Sequence, residues 1–172
     1  EVDCSDAAAF AAAIRGAAGG EALTDVWHMA ANSDIPAGVA DPRIDHERTF
    51  LTTFATLLVM RELAIGTLHF ASSSAVYGDL AGAISELSGP PEPISNYGAM
   101  KLASEAQIRA AVESYLPRAD IFRFPNVIGV PATHGVLIDL IRKAKATPDG
   151  FDVLGDGTQR KAYLHVEDLL DA

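Results

Sequence analysis

Tyr97 and Lys101 stand four residues apart in Tyr97-Gly98-Ala99-Met100-Lys101, so on a helix a phenol and an ammonium share one face. A neighbouring cation favours phenolate and draws a tyrosine toward the range useful to a general base. Taken alone, the same spacing also describes a solvated helix face. Three hydroxyls in a row, Ser72-Ser73-Ser74, run into Ala75-Val76-Tyr77-Gly78. Alone, such a run is ordinary turn chemistry, with hydroxyls bonding nearby backbone. The combination says more. A serine at a strand tip and a Tyr/Lys pair on the next helix can converge on one substrate hydroxyl.

The elements that must position these residues alternate along the chain. Ala7 to Ala18 is Ala-rich and helical, with Asp6 as N-cap and Gly19-Gly20 as its end. Asp25 to Ala30 has strand length and apolar character. Asp45 to Leu63 reads as a long helix stopped near Gly66, and Thr67 to Ser72 as the next strand. A polar loop containing Gly and Pro follows through Pro93. Tyr97 to Leu116 is helical, Asp120 to Phe124 a strand, Gly135 to Ala146 a helix and Phe151 to Leu154 a short strand. Strands alternating with helices of this length predict parallel pairing, an α/β fold with a doubly wound parallel sheet. Ligands of such sheets bind at the carboxyl ends of the strands. The unusual segments fall there: Ala30-Ala31-Asn32-Ser33, Ser72-Ser73-Ser74 and Pro125-Asn126.

Other residues read plainly. His28 lies in an apolar run and is expected to be a satisfied core histidine, and Trp27 beside it a core residue. His69, His134 and His165 show no metal-ligand spacing with acids or Cys4, so no metal is expected. Glu47 and Glu62 read as solvated helix residues.

Composition bounds the function. The 172 residues, 49% hydrophobic and 21% charged, suit one globular unit with a real core. With 13 Lys and Arg against 23 Asp and Glu, the formal charge of −10 argues against nucleic acid or an anionic membrane as partner. It leaves a phosphorylated small molecule open, since a pocket needs only one or two cations. A lone Cys4 excludes an internal disulfide and fits a reducing cytoplasm. No stretch is apolar for long enough to span a bilayer. The first residues, Glu1 to Asp6, form neither a signal nor a transit peptide, and the missing initiator Met suggests a fragment.

Six motifs, in order, resemble those of the extended short-chain dehydrogenase/reductases, and especially the NAD-dependent epimerase/dehydratase family. Asp3-Cys4-Ser5-Asp6 resembles the acidic motif that meets adenine, and His28-Met29-Ala30-Ala31 the strand end beneath the cofactor. Ser72 to Gly78 is similar to the active-site serine motif, and Tyr97 to Lys101 to the YxxxK pair. Arg123-Phe124-Pro125-Asn126-Val127-Ile128-Gly129 resembles the RxxNVxGP segment, with Val130 intervening before Pro131. Gly155 to Asp168 resembles the GDGxxxRDxxxVxD segment. The Gly-rich phosphate loop expected after the first strand is absent, which places the start of the sequence after the second or third strand of such a fold. The C-terminal part of the substrate domain is likewise expected beyond Ala172. Lys161 stands where the family carries arginine, keeping the charge but losing the bidentate fork.

The resemblance implies NAD as cofactor, a nucleotide-diphosphate sugar as substrate and a partial Rossmann-like fold. Residues 1–130 would be an NAD-binding domain lacking the Gly-rich loop. Residues 131–172 would mix substrate-domain and late Rossmann elements. By position, Tyr97 is the acid/base, Lys101 holds the nicotinamide ribose, and Ser73 bonds the reacting sugar oxygen. Asp3 and Cys4 meet adenine; Met29, Ala30, Ala31, Ser33, Ser72, Phe124 and Pro125 line the cofactor together with Tyr97 and Lys101. Ser74, Asn126, Val136, Leu154 and Lys161 fall on the substrate. The activity implied is sugar 4-epimerisation by transient oxidation, with a 4,6-dehydratase, a sugar dehydrogenase/reductase or a non-catalytic nucleotide-binding module as rivals. Homodimers through two long helices are common in the family, and 45–63 and 97–116 would be the faces, with the oligomeric state left open by the sequence.

Overall fold

The computed structural model describes residues 2–80, 82–132, 135–147, 149–153, 156–158 and 160–172. Its chain forms two compact units, dividing between Phe124 and Pro125.

In the first unit each helix starts where a short polar side chain can catch free backbone N–H groups. Asp6 accepts from Ala8 N and Ala9 N, both at 3.0 Å, to open α1 (Ala7–Ala18), and Gly19 closes it with φ of 59°. Strand β1 (Asp25–His28) follows. Asp34 caps α2 (Ile35–Ala40), and Asp41 caps α3 (Pro42–Asp45), each with proline in the first turn. The sequence reading missed both short helices, although aspartate just ahead of Ile35-Pro36 and of Pro42 is their signal. A π-helical turn, His46–Leu51, leads from α3 into α4 (Thr52–Glu62), so the long helix expected over 45–63 is present but internally rewound. The buried face of this stretch is rich in threonine. Thr52, Thr53 and Thr56 turn their hydroxyls onto carbonyls of the preceding turn, at 2.8–3.1 Å, which satisfies them away from water.

Strand β2 (Thr67–Ser73), a 3₁₀ turn (Ser74–Tyr77), α5 (Asn96–Ser114) and β3 (Arg118–Phe124) complete the unit. The three strands are parallel in the order β1-β2-β3, with His28 opposite Phe70 and Ser73 opposite Phe124. Leu57 and Met60 of α4, Ile108 and Ala111 of α5, and Leu68 and Phe70 of β2 form the core on one face of the sheet. His28 is a core histidine as expected. It is 4% exposed, and its Nε2 lies 3.1 Å from Thr53 Oγ1. Trp27 is not core. It points to the opposite face, is 64% exposed, and stacks on His69 with centroids 4.2 Å apart. Side chains alternate along a strand, so burying His28 against α4 sends Trp27 to the other side.

In the second unit β4 (Asn126–Ile128) pairs in parallel with β5 (Tyr163–His165), accompanied by α6 (Val136–Ala146) and α7 (Val166–Asp171). Both strands and α7 went unread in the sequence. The strand expected over 151–154 does not form: 151–153 are exposed and join no sheet among the described residues, and Leu154 lies outside them. The backbone partner of Asn126-Val127-Ile128 is Tyr163-Leu164-His165 instead.

Gly98 shows how closely α5 is seated. A Cβ there would lie 2.5 Å from the Ala75 carbonyl oxygen and 3.0 Å from Pro93 Cβ. Alanine is the better helix former by up to about 1 kcal/mol, yet Gly98→Ala should destabilise the protein by about 1–3 kcal/mol, the scale of overpacking. Urea unfolding measures it, and a gain in stability would show that α5 can slide off the turn.

Candidate active site

Ser73 ends β2, and its side chain turns back to accept from Ala75 N at 3.2 Å, opening the 3₁₀ turn that carries Ser74. Ser95 caps α5 by accepting from Gly98 N at 3.1 Å, which starts the helix one residue before Tyr97. Asn96 Nδ2 donates to the Gly38 carbonyl at 2.9 Å and ties α2 to the same helix end. The strand tip and the helix start therefore meet, and Ser73 lies close enough to the Tyr97 phenol to act on its titration.

Tyr97 is half-buried, and that burial raises its phenol above the ordinary value; the Ser73 hydroxyl pulls it down and the Asp45 charge pushes it up again. Lys101 does not lower it, contrary to the reading from spacing. Lys101 is 1% exposed, and its ammonium donates to the Ala71 carbonyl at 2.5 Å. It lies 4.7 Å from the Phe70 ring centroid and 5.8 Å from that of Tyr97, over the faces rather than at the hydroxyl. Burial brings its pKa down to about 8. His28, near the same cation, is held neutral by burial, its pKa lowered to about 4.

Asp45 is a residue the sequence reading passed over. It is 1% exposed, accepts from Asn32 Nδ2 at 2.8 Å, and leaves Oδ2 without a hydrogen-bond partner among the described residues. A side chain at Gly38 would overlap its carboxylate, so glycine is what lets α2 close over it. Nothing in the local pattern marks this acid as buried.

The remaining sequence-selected residues fall in two groups. Met29, Ala30, Ala31 and Ser33 leave the sheet at the carboxyl edge, the first 60% exposed, and Phe124 ends β3 opposite Ser73. Asp3 is exposed, and its Oδ1 accepts from Ser5 N and Ser5 Oγ. Cys4 is half-buried, its thiol raised by that burial. Ser72 is buried, and its hydroxyl donates to Glu105 Oε1 at 2.6 Å, so only its backbone faces the strand tip. The second unit holds Pro125, Asn126, Val136 and Lys161. Asn126 Nδ2 donates to the Ala162 carbonyl at 3.1 Å, beside Lys161, while Val136 opens α6 and is 53% exposed. Leu154 and His134 lie outside the described residues. Among those described, no group of His, Cys, Asp and Glu is arranged to hold a metal, and no helix is long and apolar enough to cross a membrane.

The sequence profile of the NAD dependent epimerase/dehydratase family matches residues 1–172. The chain belongs to that family. Its similarity to a UDP-glucose 4-epimerase of Azospirillum brasilense is 32% identity over 164 residues, 86% of this chain and 47% of that protein. The UDP-glucose 4-epimerase of Thermus thermophilus, solved in complex with NAD, superposes with a TM-score of 0.83 at 29% identity, covering 99% of this chain and 57% of that one. A DesIV double mutant, a dTDP-glucose 4,6-dehydratase from Streptomyces venezuelae with NAD and DAU bound, superposes with a TM-score of 0.84 at 27% identity, over 98% and 51%. The chain thus spans about half the length of the relatives it matches. Its fold is the Rossmann-like α/β fold of these epimerases, with part of the sheet present. NAD is the cofactor of this epimerase/dehydratase family.

Proposed function

We propose that the full-length protein is an NAD-dependent nucleotide-sugar 4-epimerase. The observation that carries this reading is the junction of β2 with α5, which sets the Ser73 hydroxyl against the Tyr97 phenol with the Lys101 ammonium behind them. Met29 and Ala30 are exposed where the chain leaves β1, an apolar surface that would suit the nicotinamide-ribose half of NAD. NAD would supply the redox chemistry, taking a hydride from sugar C4 and returning it to the other face of the 4-keto sugar. Ser73 holds the sugar O4, and Tyr97 removes its proton and later gives it back. Lys101, whose ammonium donates to the Ala71 carbonyl, would hold the ribose hydroxyls. In the second unit, Lys161 and Asn126 are the groups that suit the nucleotide diphosphate, and Val136 and Leu154 the base. The exposed Phe54 and Leu58 of α4 and Val112 of α5 suit the proposed homodimer.

The dehydratase is the serious rival, since a protein of that activity superposes equally well. After oxidation at C4, elimination requires an acid and a base beside the serine, and the family's dehydratases carry an Asp-Glu pair there. Here these positions are Ser74 and Ala75 in the 3₁₀ turn. Alanine transfers no proton, and a serine is a poor acid at neutral pH. Glu86, in the loop that follows, is exposed. Incubated with UDP- and dTDP-glucose, the full-length protein is expected to interconvert C4 epimers with no change in mass. A product lighter by one water replaces the epimerase reading with the dehydratase.

A further inference from the structure

Beneath the serine lies a polar cluster centred on Glu105, a residue outside all six motifs and without a part in the proposed chemistry. Glu105 sits on α5 one turn beyond Lys101 and is fully buried. Its Oε1 accepts from Ser72 Oγ at 2.6 Å and from Arg123 Nε at 2.9 Å. Its Oε2 accepts from Arg123 Nη2 at 2.7 Å and Arg109 Nη2 at 3.1 Å. Arg123 gives its remaining Nη1 to the Tyr77 hydroxyl at 2.8 Å and stacks over that ring at 4.8 Å. One carboxylate therefore joins four elements: β2 at the residue before Ser73, α5 past Lys101, β3 next to its end, and the last residue of the 3₁₀ turn.

Stability alone does not call for this arrangement. Burying two charges carries a desolvation cost that their attraction only offsets, and apolar side chains of similar volume serve as well or better. Leu68 and Phe70 of β2, Ile108 and Ala111 of α5, and Ile121 of β3 packed against them already hold three of these elements together. What a bidentate, fully satisfied pair adds is direction: the fork and the carboxylate meet in one geometry, whereas apolar contacts tolerate sliding. Burial by itself would push the Glu105 carboxyl up, and the bonds from Arg123 and Ser72 outweigh it, so the group stands below the ordinary carboxylate range and is ionised at neutral pH. Proton transfer between a serine-held oxygen and a tyrosine is sensitive to displacements of about 1 Å.

We propose that Glu105 is a positioning residue: through Ser72 and Arg123 it locks the tip of β2 to α5 and so sets the approach of Ser73 to Tyr97. This rests on the reading of Ser73 and Tyr97 as the reacting pair. The test uses the full-length protein with both charges removed, Glu105→Leu with Arg123→Met, so that no buried charge is left alone. Two quantities are read: the split of turnover between kcat and KM, and the titration of the Tyr97 phenol by its absorbance against a Tyr97→Phe reference. The expected result is a folded protein whose kcat falls by about ten-fold or more while KM stays within about three-fold. Its phenol titrates closer to an ordinary solvated tyrosine. A folded double variant with unchanged kcat and unchanged phenol overturns the proposal. Should the double variant fail to fold, Ser72→Ala is read in the same two ways, with Ser72→Thr expected to restore both because it returns the hydroxyl. If the wild-type protein interconverts no epimers, the functional reading fails by itself. The phenol titration needs no turnover and still decides: displaced, it supports the lock, and unmoved, it sinks it.

Discussion

Tyr97→Phe in the full-length protein should cut turnover by about 10²–10⁴-fold, the usual worth of a positioned acid/base, while NAD affinity stays near that of the wild type. The substitution removes one hydroxyl from a half-buried ring whose contacts with α5 are otherwise kept. Burial holds that phenol above its ordinary value, with Ser73 drawing it down. A raised phenol is protonated at neutral pH and ready to donate. Steady-state kinetics with a nucleotide sugar and calorimetry with NAD measure the two halves. Near-normal turnover in the Phe variant removes Tyr97 from the mechanism.

Stability of the protein should climb with pH in two separate steps, because two buried bases are held below their ordinary values. His28 is lowered from 6.5 to about 4 by burial and the nearby Lys101 charge. Unfolding lets it take up a proton anywhere between these values, so stability is complete above 6.5 and lost as pH falls toward 4. The gap corresponds to roughly 3 kcal/mol at about 1.4 kcal/mol per pKa unit. Glu105 adds to the loss at the acid end, since its carboxyl is held below 4.5. Lys101 is lowered from 10.5 to about 8 by burial. Below 8 it is charged both folded and unfolded, and its desolvation weighs against the fold; above 8 the native state sheds the charge and stability rises, again by roughly 3 kcal/mol in full. The rise is cut short near pH 10, where unfolded tyrosines ionise while Tyr97 and Tyr115 are kept protonated by burial. Urea midpoints from pH 4 to 10 trace the profile. Lys101→Met should erase the alkaline step and shrink the acid one without abolishing it, since burial still lowers His28; an alkaline step that survives belongs to another group.

Much of this protein is settled by residues within a few positions of each other. Asp6 with Gly19, and Ser95 ahead of Tyr97, mark helix ends because capping is a matter of one turn of backbone. The apolar runs at 25–28 and 67–72 are strands by the same local logic, and the order of strand and helix is enough for a parallel α/β sheet. The motifs from Ser72 to Gly78 and from Tyr97 to Lys101 are likewise contiguous, which is why the family could be read before any coordinates.

Tertiary structure decided what depends on partners far along the chain. Strand β4 is three residues long and becomes a strand only by pairing with 163–165, which no window of sequence reveals. Trp27 is as apolar as its neighbours, and only the packing of α4 against His28 settles which face it takes. Spacing along α5 offers Glu105 to Lys101 at i+4; the fold gives it to Ser72 and Arg123 instead and turns Lys101 to the Ala71 carbonyl. The sign of the Tyr97 shift is set by burial, with Ser73 and Asp45 acting on it from other parts of the chain. The sequence determined which groups are present and on which elements, because those are local properties. Which of them are buried, and against what, is fixed by contacts between segments distant in the chain, and burial governs how strongly each charge is felt.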